Sequence, residues 1–117
     1  MREFKRSARV GDLLCREISS IILRDITDPR VEMVTITGAK VSDDLRHAAI
    51  FFSVIGDENR WKEASKGLTS SRGYIKRELG KRLEIKYIPD LKFIQDKTME
   101  TGSRIDKMIS DALSDHD

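Results

Sequence analysis

Few side chains in this sequence are of a type and spacing that could perform chemistry. The histidines are His47 and His116, the single cysteine is Cys15, and Asp43 and Asp44 form an adjacent carboxylate pair. Imidazole acts as a base or ligand beside partners: a nucleophile and an orienting carboxylate, or further His and Cys at zinc-ligand spacing. Neither histidine has such company. His116 is next to last, and His47 lies in a stretch that alternates like a strand. One cysteine makes no internal disulfide and no thiolate metal site, so Cys15 reads as an unreactive thiol of a reducing compartment. Asp43 and Asp44 sit where the chain must reverse, an ordinary place for aspartates. No Walker loop or dinucleotide fingerprint occurs. The expectation is a protein without catalytic residues, metal or cofactor, and not an enzyme.

What remains is electrostatic. The net charge is only +2 over 117 residues, but it is unevenly spread. Residues 60–82 hold eight cations, Arg60, Lys62, Lys66, Arg72, Lys76, Arg77, Lys81 and Arg82, opposed only by Glu63 and Glu78. The first nine residues add Arg2, Lys5, Arg6 and Arg9, while Asp111, Asp115 and Asp117 lie at the other end. A local basic segment is the footprint expected for nucleic acid, although a solvated helix face has a similar composition. Spacing favours the first reading. Ile75, Leu79 and Leu83 recur at i, i+4, i+8 and form an inward row, which turns Arg77 and Lys81 outward. Gly73 precedes Arg77 by one helical turn on the same side. Bare backbone beside two cations lets a phosphate approach closely and supplies sequence-independent affinity.

These groups need a scaffold. The length suits one domain with its own hydrophobic core. Apolar residues at Val10, Leu13, Leu14, Ile18, Ile21 and Ile22 predict a helix over 7–24, ended before Asp28-Pro29. Alternation predicts a hairpin of strands 33–42 and 45–55, with a bulge at Gly38 and a turn at Asp43-Asp44. Its buried face is Ile50 and Phe52, with Val34 or Ile36. Asp57 is a plausible N-cap for a helical region over 58–83 that Gly67 and Gly73 interrupt. Pro89 precedes a third strand at 91–95. Ile105, Met108, Ile109 and Leu113 suggest a final short helix. The order predicts an α+β fold, a KH-like type II domain (α-β-β-α-kink-α-β) with a three-stranded sheet and helices on one face. Residues 1–113 form the domain and 114–117 a polar tail. No glycine pair has the Gly-x-x-Gly spacing of ordinary KH domains, which points to a variant. The charged start and the short longest apolar run, Ala48 to Phe52, predict no signal peptide and no membrane span, hence a cytoplasmic protein.

From about Arg6 to Leu113 the chain resembles the ribosome-binding factor A family. The resemblance is carried by Arg6-Ser7-Ala8-Arg9-Val10, Asp28-Pro29-Arg30, Val41-Ser42-Asp43-Asp44-Leu45, Phe52-Ser53-Val54 and Ile88-Pro89-Asp90-Leu91-Lys92-Phe93, in that order and spacing. The resemblance implies a type II KH fold in which an Ala-x-Gly kink replaces the Gly-x-x-Gly loop. Ser71-Arg72-Gly73 stands at that position, with serine for alanine; a small side chain whose hydroxyl can bond to backbone favours a helix break there. The resemblance further implies a monomer that binds the 30S subunit and its 16S ribosomal RNA during late maturation. It implies support of 16S 5′-end processing without catalysing it, growth in the cold, and no membrane or small-molecule partner. The candidate RNA-binding residues are Arg6, Arg9, Ser71, Arg72, Gly73, Lys76, Arg77, Lys81 and Arg82. Two other readings stay open: a general single-stranded RNA-binding module, for which only Trp61 and Tyr74 are nearby aromatics, and a nuclease, for which the basic segment has only Glu63 and Glu78.

Overall fold

A computed structural model describes residues 6–97. The first helix, α1, spans Arg6–Asp25 and buries Val10, Leu14, Ile18, Ile21 and Ile22 along one stripe. It crosses the sheet closely: a Cβ on Gly11 would lie 3.1 Å from the carbonyl oxygen of Ala39. Asp28 then starts a short 3-10 turn, Pro29–Val31, by accepting a hydrogen bond from the Arg30 amide at 2.9 Å.

Strands β1 (Thr35–Val41) and β2 (His47–Ser53) form the expected hairpin. The register shifts between Ile36, opposite Phe52, and Gly38, opposite Phe51. Thr37 is therefore the extra residue of the bulge, and its hydroxyl donates to Asp96. At the turn Leu45 takes a positive φ of 63°. Asp44 Oδ1 holds the turn by accepting from Ser42 Oγ at 2.6 Å and from the Arg46 amide at 3.1 Å. Those bonds keep its carboxyl below the ordinary range, so Asp44 is a turn residue and no proton donor.

The second helix, α2, spans Glu58–Arg82 in 25 residues, capped by Asp57, whose side chain accepts from the Arg60 amide. Here the structure corrects the sequence reading. Ser71, Arg72 and Gly73 lie inside one uninterrupted helix, and the break predicted there is absent. Each interior glycine costs a helix about 1 kcal/mol. Leu68, Ile75 and Leu79, each fully buried, flank Gly73 and tie both halves to one core. At roughly 1.5–3 kcal/mol per buried aliphatic side chain, that anchoring outweighs the glycine cost. Gly67 has a packing role: a Cβ there would stand 2.9 Å from both Arg30 Cβ and Val31 Cγ1, so glycine lets the 3-10 turn seat on α2.

Strand β3 (Asp90–Gln95) pairs in parallel with β2, from His47 opposite Asp90 to Phe52 opposite Gln95. A parallel pair needs a crossover, and α2 is that crossover. The sheet order is β1-β2-β3, with both helices against one face. That face carries Val41, Ala48, Ile50, Phe52 and Leu91, all buried, with Phe52 in ring contact with Trp61 at 5.8 Å. Val34 and Ile36 are half-buried against the same core. The fold is α+β and KH-like. The predicted final helix, the polar tail, Arg2 and Lys5 lie outside the described residues.

Candidate nucleic-acid interface

Because α2 runs unbroken, its two basic halves stay in phase, and its eight cations separate into two groups of four by what they touch. Arg60 donates to the carbonyls of Arg30, at 2.8 Å, and Glu32. Arg72 donates to the Leu91 carbonyl at 3.4 Å. Lys76 pairs with Asp90 at 3.0 Å and holds that carboxyl below its usual range. Arg82 meets Glu17 at 3.3 Å, Asp25 at 3.6 Å and Glu78 at 3.9 Å. These four fasten α2 to α1, to the 3-10 turn and to β3.

The other four form the crest. Lys62, Lys66, Arg77 and Lys81 recur at helical spacing, with Thr69, Ser70 and Gly73 between them. From Lys62 to Lys81 the crest is about 28 Å long at 1.5 Å per residue. A Cβ on Gly73 would meet only Arg77 Nη1, at 3.8 Å, so the backbone there is open. The Arg77 guanidinium lies over the Tyr74 ring at 5.9 Å, and no carboxylate among the described residues pairs with it. Tyr74 is fixed in turn by donating its hydroxyl to Asp25 at 3.0 Å, and that bond pushes the phenol above its ordinary pKa. Among the described residues Lys81 and Lys66 have only local partners, Glu78 at 3.1 Å and Glu63 at 3.9 Å. Over the first half of α2, Lys62, Lys66, Ser65, Thr69 and Ser70 line a shallow surface of about 600 Å³ with Arg30 and Gln95. Cations interleaved with hydroxyls suit phosphate oxygens.

Beside the crest lies a groove of about 650 Å³ between α2 and the start of β3, lined by His47, Arg72, Lys76, Asp90 and Lys92 among others. Sequence reasoning missed Lys92 and His47 as members of this basic surface. Their juxtaposition depends on parallel pairing of β2 with β3, which periodicity does not reveal. Lys62 and Lys66 were visible as cations, but a break at Gly73 would have put them out of phase with Arg77. Of the predicted residues, the structure brings Gly73, Arg77 and Lys81 together on the crest and sets Arg72 and Lys76 at the groove wall. Ser71 is half-buried, and Arg82 is turned into its acidic cluster. Arg6 and Arg9 are exposed on the first turn of α1. Arg9 stands about 12 Å along that helix from Glu17, the partner of Arg82, so this arm is a separate patch.

Cys15 is half-buried; burial first, and Asp12 second, push its thiol above the ordinary pKa. Among the described residues no group of three or more His, Cys, Asp or Glu is placed to hold a metal ion. No described helix is long and apolar enough to cross a membrane.

Comparison with known proteins bears on the family and the fold. The family pattern of ribosome-binding factor A matches residues 6–109. A ribosome-binding factor A of Syntrophus aciditrophicus is 50% identical over 111 residues, 95% of this chain and 90% of that protein. The crystal structure of ribosome-binding factor A from Thermus thermophilus superimposes with a TM-score of 0.68 at 20% identity, covering 76% of this chain and 94% of that one. A homology model of Thermus thermophilus ribosome binding factor A, fitted into the cryo-EM map of a 30S complex with ribosome binding factor A, gives a TM-score of 0.66, also at 20% identity, covering 78% of this chain and 96% of that one.

Proposed function

The chain belongs to the ribosome-binding factor A family, and we propose that it binds the 30S ribosomal subunit by laying the crest of α2 along the 16S ribosomal RNA backbone. The observation that carries this reading is the unbroken crest of Lys62, Lys66, Gly73, Arg77 and Lys81, free of cross-element ion pairs among the described residues, on a helix held from its other side. Such a surface neutralises phosphates without reading bases, so it positions the protein by the shape of folded RNA. The 30S complex of the Thermus thermophilus protein supports the choice of partner. Lys76, Arg72 and Lys92 form the flank of the same interface, and Arg6 and Arg9 a second contact. In this reading the protein is a cytosolic, monomeric factor of late small-subunit maturation. It supports 16S 5′-end processing and growth in the cold by binding, and cleaves nothing itself.

The test is co-sedimentation of the purified protein with isolated 30S subunits, with 50S subunits as control, and incubation with precursor 16S RNA and magnesium. The expected result is 30S-selective sedimentation and intact RNA. Equal sedimentation with both subunits would favour a general RNA-binding module, and cleavage of the precursor would restore the nuclease reading.

A further inference from the structure

Among the described residues, the helices cover one face of the sheet and leave the other open. Along β2 burial alternates: Ala48, Ile50 and Phe52 are buried under the helices, whereas His47 is exposed and Ala49, Phe51 and Ser53 are half-buried. Phe51, Ala49 and Ile94 stand apart from the hydrophobic core. The register sets these open-face residues in rows. Gly38, Phe51 and Ile94 lie side by side on β1, β2 and β3, and the next row is Lys40, Ala49 and Lys92. A Cβ on Gly38 would have no atom within 4 Å, so one side of Phe51 borders open space.

We propose that this face is a second RNA-binding surface, on which an unpaired base stacks against Phe51 while Lys40 and Lys92 hold the flanking phosphates. This rests on the reading of the protein as an RNA-binding factor and adds a site to it. An aromatic ring at the centre of an open sheet face, with cations beside it, is a physical solution for single-stranded RNA, because every base has a π-face and every link a charge. Rows on one face are about 6.6 Å apart, within reach of a lysine arm. The carboxylates at the two ends are engaged: Asp90 by Lys76, and Asp96 by the hydroxyl of Thr37. The face is also continuous with the groove, since Lys92, Ala49 and His47 line both. An unpaired strand leaving the α2 crest passes round the edge strand β3 onto this face. A protein partner is less well matched, because three apolar residues flanked by exposed lysines make a small and charged patch.

The experiment is fluorescence anisotropy of a labelled eight-nucleotide oligouridine, with an RNA duplex of equal length for comparison, at several salt concentrations. The variants are Phe51→Leu, Phe51→Tyr, Gly38→Val and Lys92→Gln, with Arg77→Glu plus Lys81→Glu as control, each checked by a thermal melt. Phe51→Leu and Gly38→Val are expected to weaken single-strand binding about 5- to 150-fold, the fold-change of a lost base stack, with the salt slope unchanged. Phe51→Tyr keeps the ring and the affinity. Lys92→Gln lowers the salt slope by about 0.7. If Phe51→Leu fails to fold, Gly38→Val decides, because its side chain enters empty space. Parent-like binding by the folded Phe51→Leu and Gly38→Val proteins overturns the proposal. If the control reversal abolishes binding in that case, the crest reading survives alone. Parent-like oligouridine binding with loss of 30S co-sedimentation assigns the face to a ribosomal protein and overturns the proposal as well. Absence of single-strand binding by the parent overturns it too, and 30S co-sedimentation then judges the crest reading separately.

Discussion

The inner side and the crest of α2 carry four cations each and use them in opposite ways. Arg60, Arg72, Lys76 and Arg82 reach partners on other elements, 14 to 65 residues away in sequence. Among the described residues, Lys62, Lys66, Arg77 and Lys81 find at most a carboxylate three residues away. Exposed pairs of that kind are worth about 0.5 kcal/mol or less and yield readily to a phosphate. A count of charges along the helix cannot tell these groups apart; the distance to the partner along the chain can. The inner side makes α2 a fixed rod, and the fixed rod keeps the crest in line.

Two of the three glycines in α2 give the largest test of this division. Gly67 faces the 3-10 turn, where a Cβ would press on Arg30 Cβ and Val31 Cγ1 at 2.9 Å. Gly67→Ala is expected to destabilise the fold by about 1–3 kcal/mol, as overpacking does, despite the gain in helix propensity. Gly73 faces open space, so Gly73→Ala is expected to stabilise it by about 0.5–1 kcal/mol while crowding the approach of RNA. Urea unfolding of both variants checks the opposite signs. A loss at both positions would mean that Gly73 serves the fold as well.

Adjacent residues at the end of α2 give a smaller and sharper contrast. Arg82→Ala removes a link to Glu17, Asp25 and Glu78 and is expected to cost about 1 kcal/mol, whereas Lys81→Ala is expected to change stability by less than about 0.5 kcal/mol. In 30S binding the order reverses, with Lys81→Ala the more damaging. Equal effects in both assays would dissolve the distinction between the two sides.

The smallest effect is in acid. Lys76 lowers the folded-state pKa of Asp90 from its ordinary value of 3.8. A carboxyl with a depressed folded pKa stabilises the fold above its unfolded pKa, and that contribution disappears as pH falls through the folded one. The melting temperature of Asp90→Asn should therefore lie below the parent's at neutral pH and converge with it below about pH 4. A constant gap across that range would place the stabilising interaction elsewhere.

Much of this was legible in the sequence because local signals agreed with the fold. The stripe from Val10 to Ile22 lies within α1 and, apart from the half-buried Leu13, is buried there, and alternation around Phe52 found both faces of the hairpin. The bulge was legible from a phase shift, though the extra residue is Thr37, next to the glycine. The continuity of α2 was not. Glycine weakens a helix locally, but Leu68, Ile75 and Leu79 bind both halves to one sheet, and that packing is tertiary. The same limit explains Arg82 and Lys92. Their neighbours, Glu17 and Asp25 in one case, His47 and Ala49 in the other, lie far away along the chain, and only the parallel crossover and the packing of α1 bring them close.

The central claim is that the crest is one continuous phosphate-binding line. The direct measurement is the salt dependence of 30S binding for three proteins: the parent, Lys62→Gln with Lys66→Gln, and Arg77→Gln with Lys81→Gln. Each lost phosphate contact lowers the slope of log affinity against log salt by roughly one. Both double variants should fold like the parent and each lose about two from the slope. A parent-like slope for Lys62→Gln with Lys66→Gln, beside a reduced one for Arg77→Gln with Lys81→Gln, would contradict the claim and confine the contact to the second half of α2.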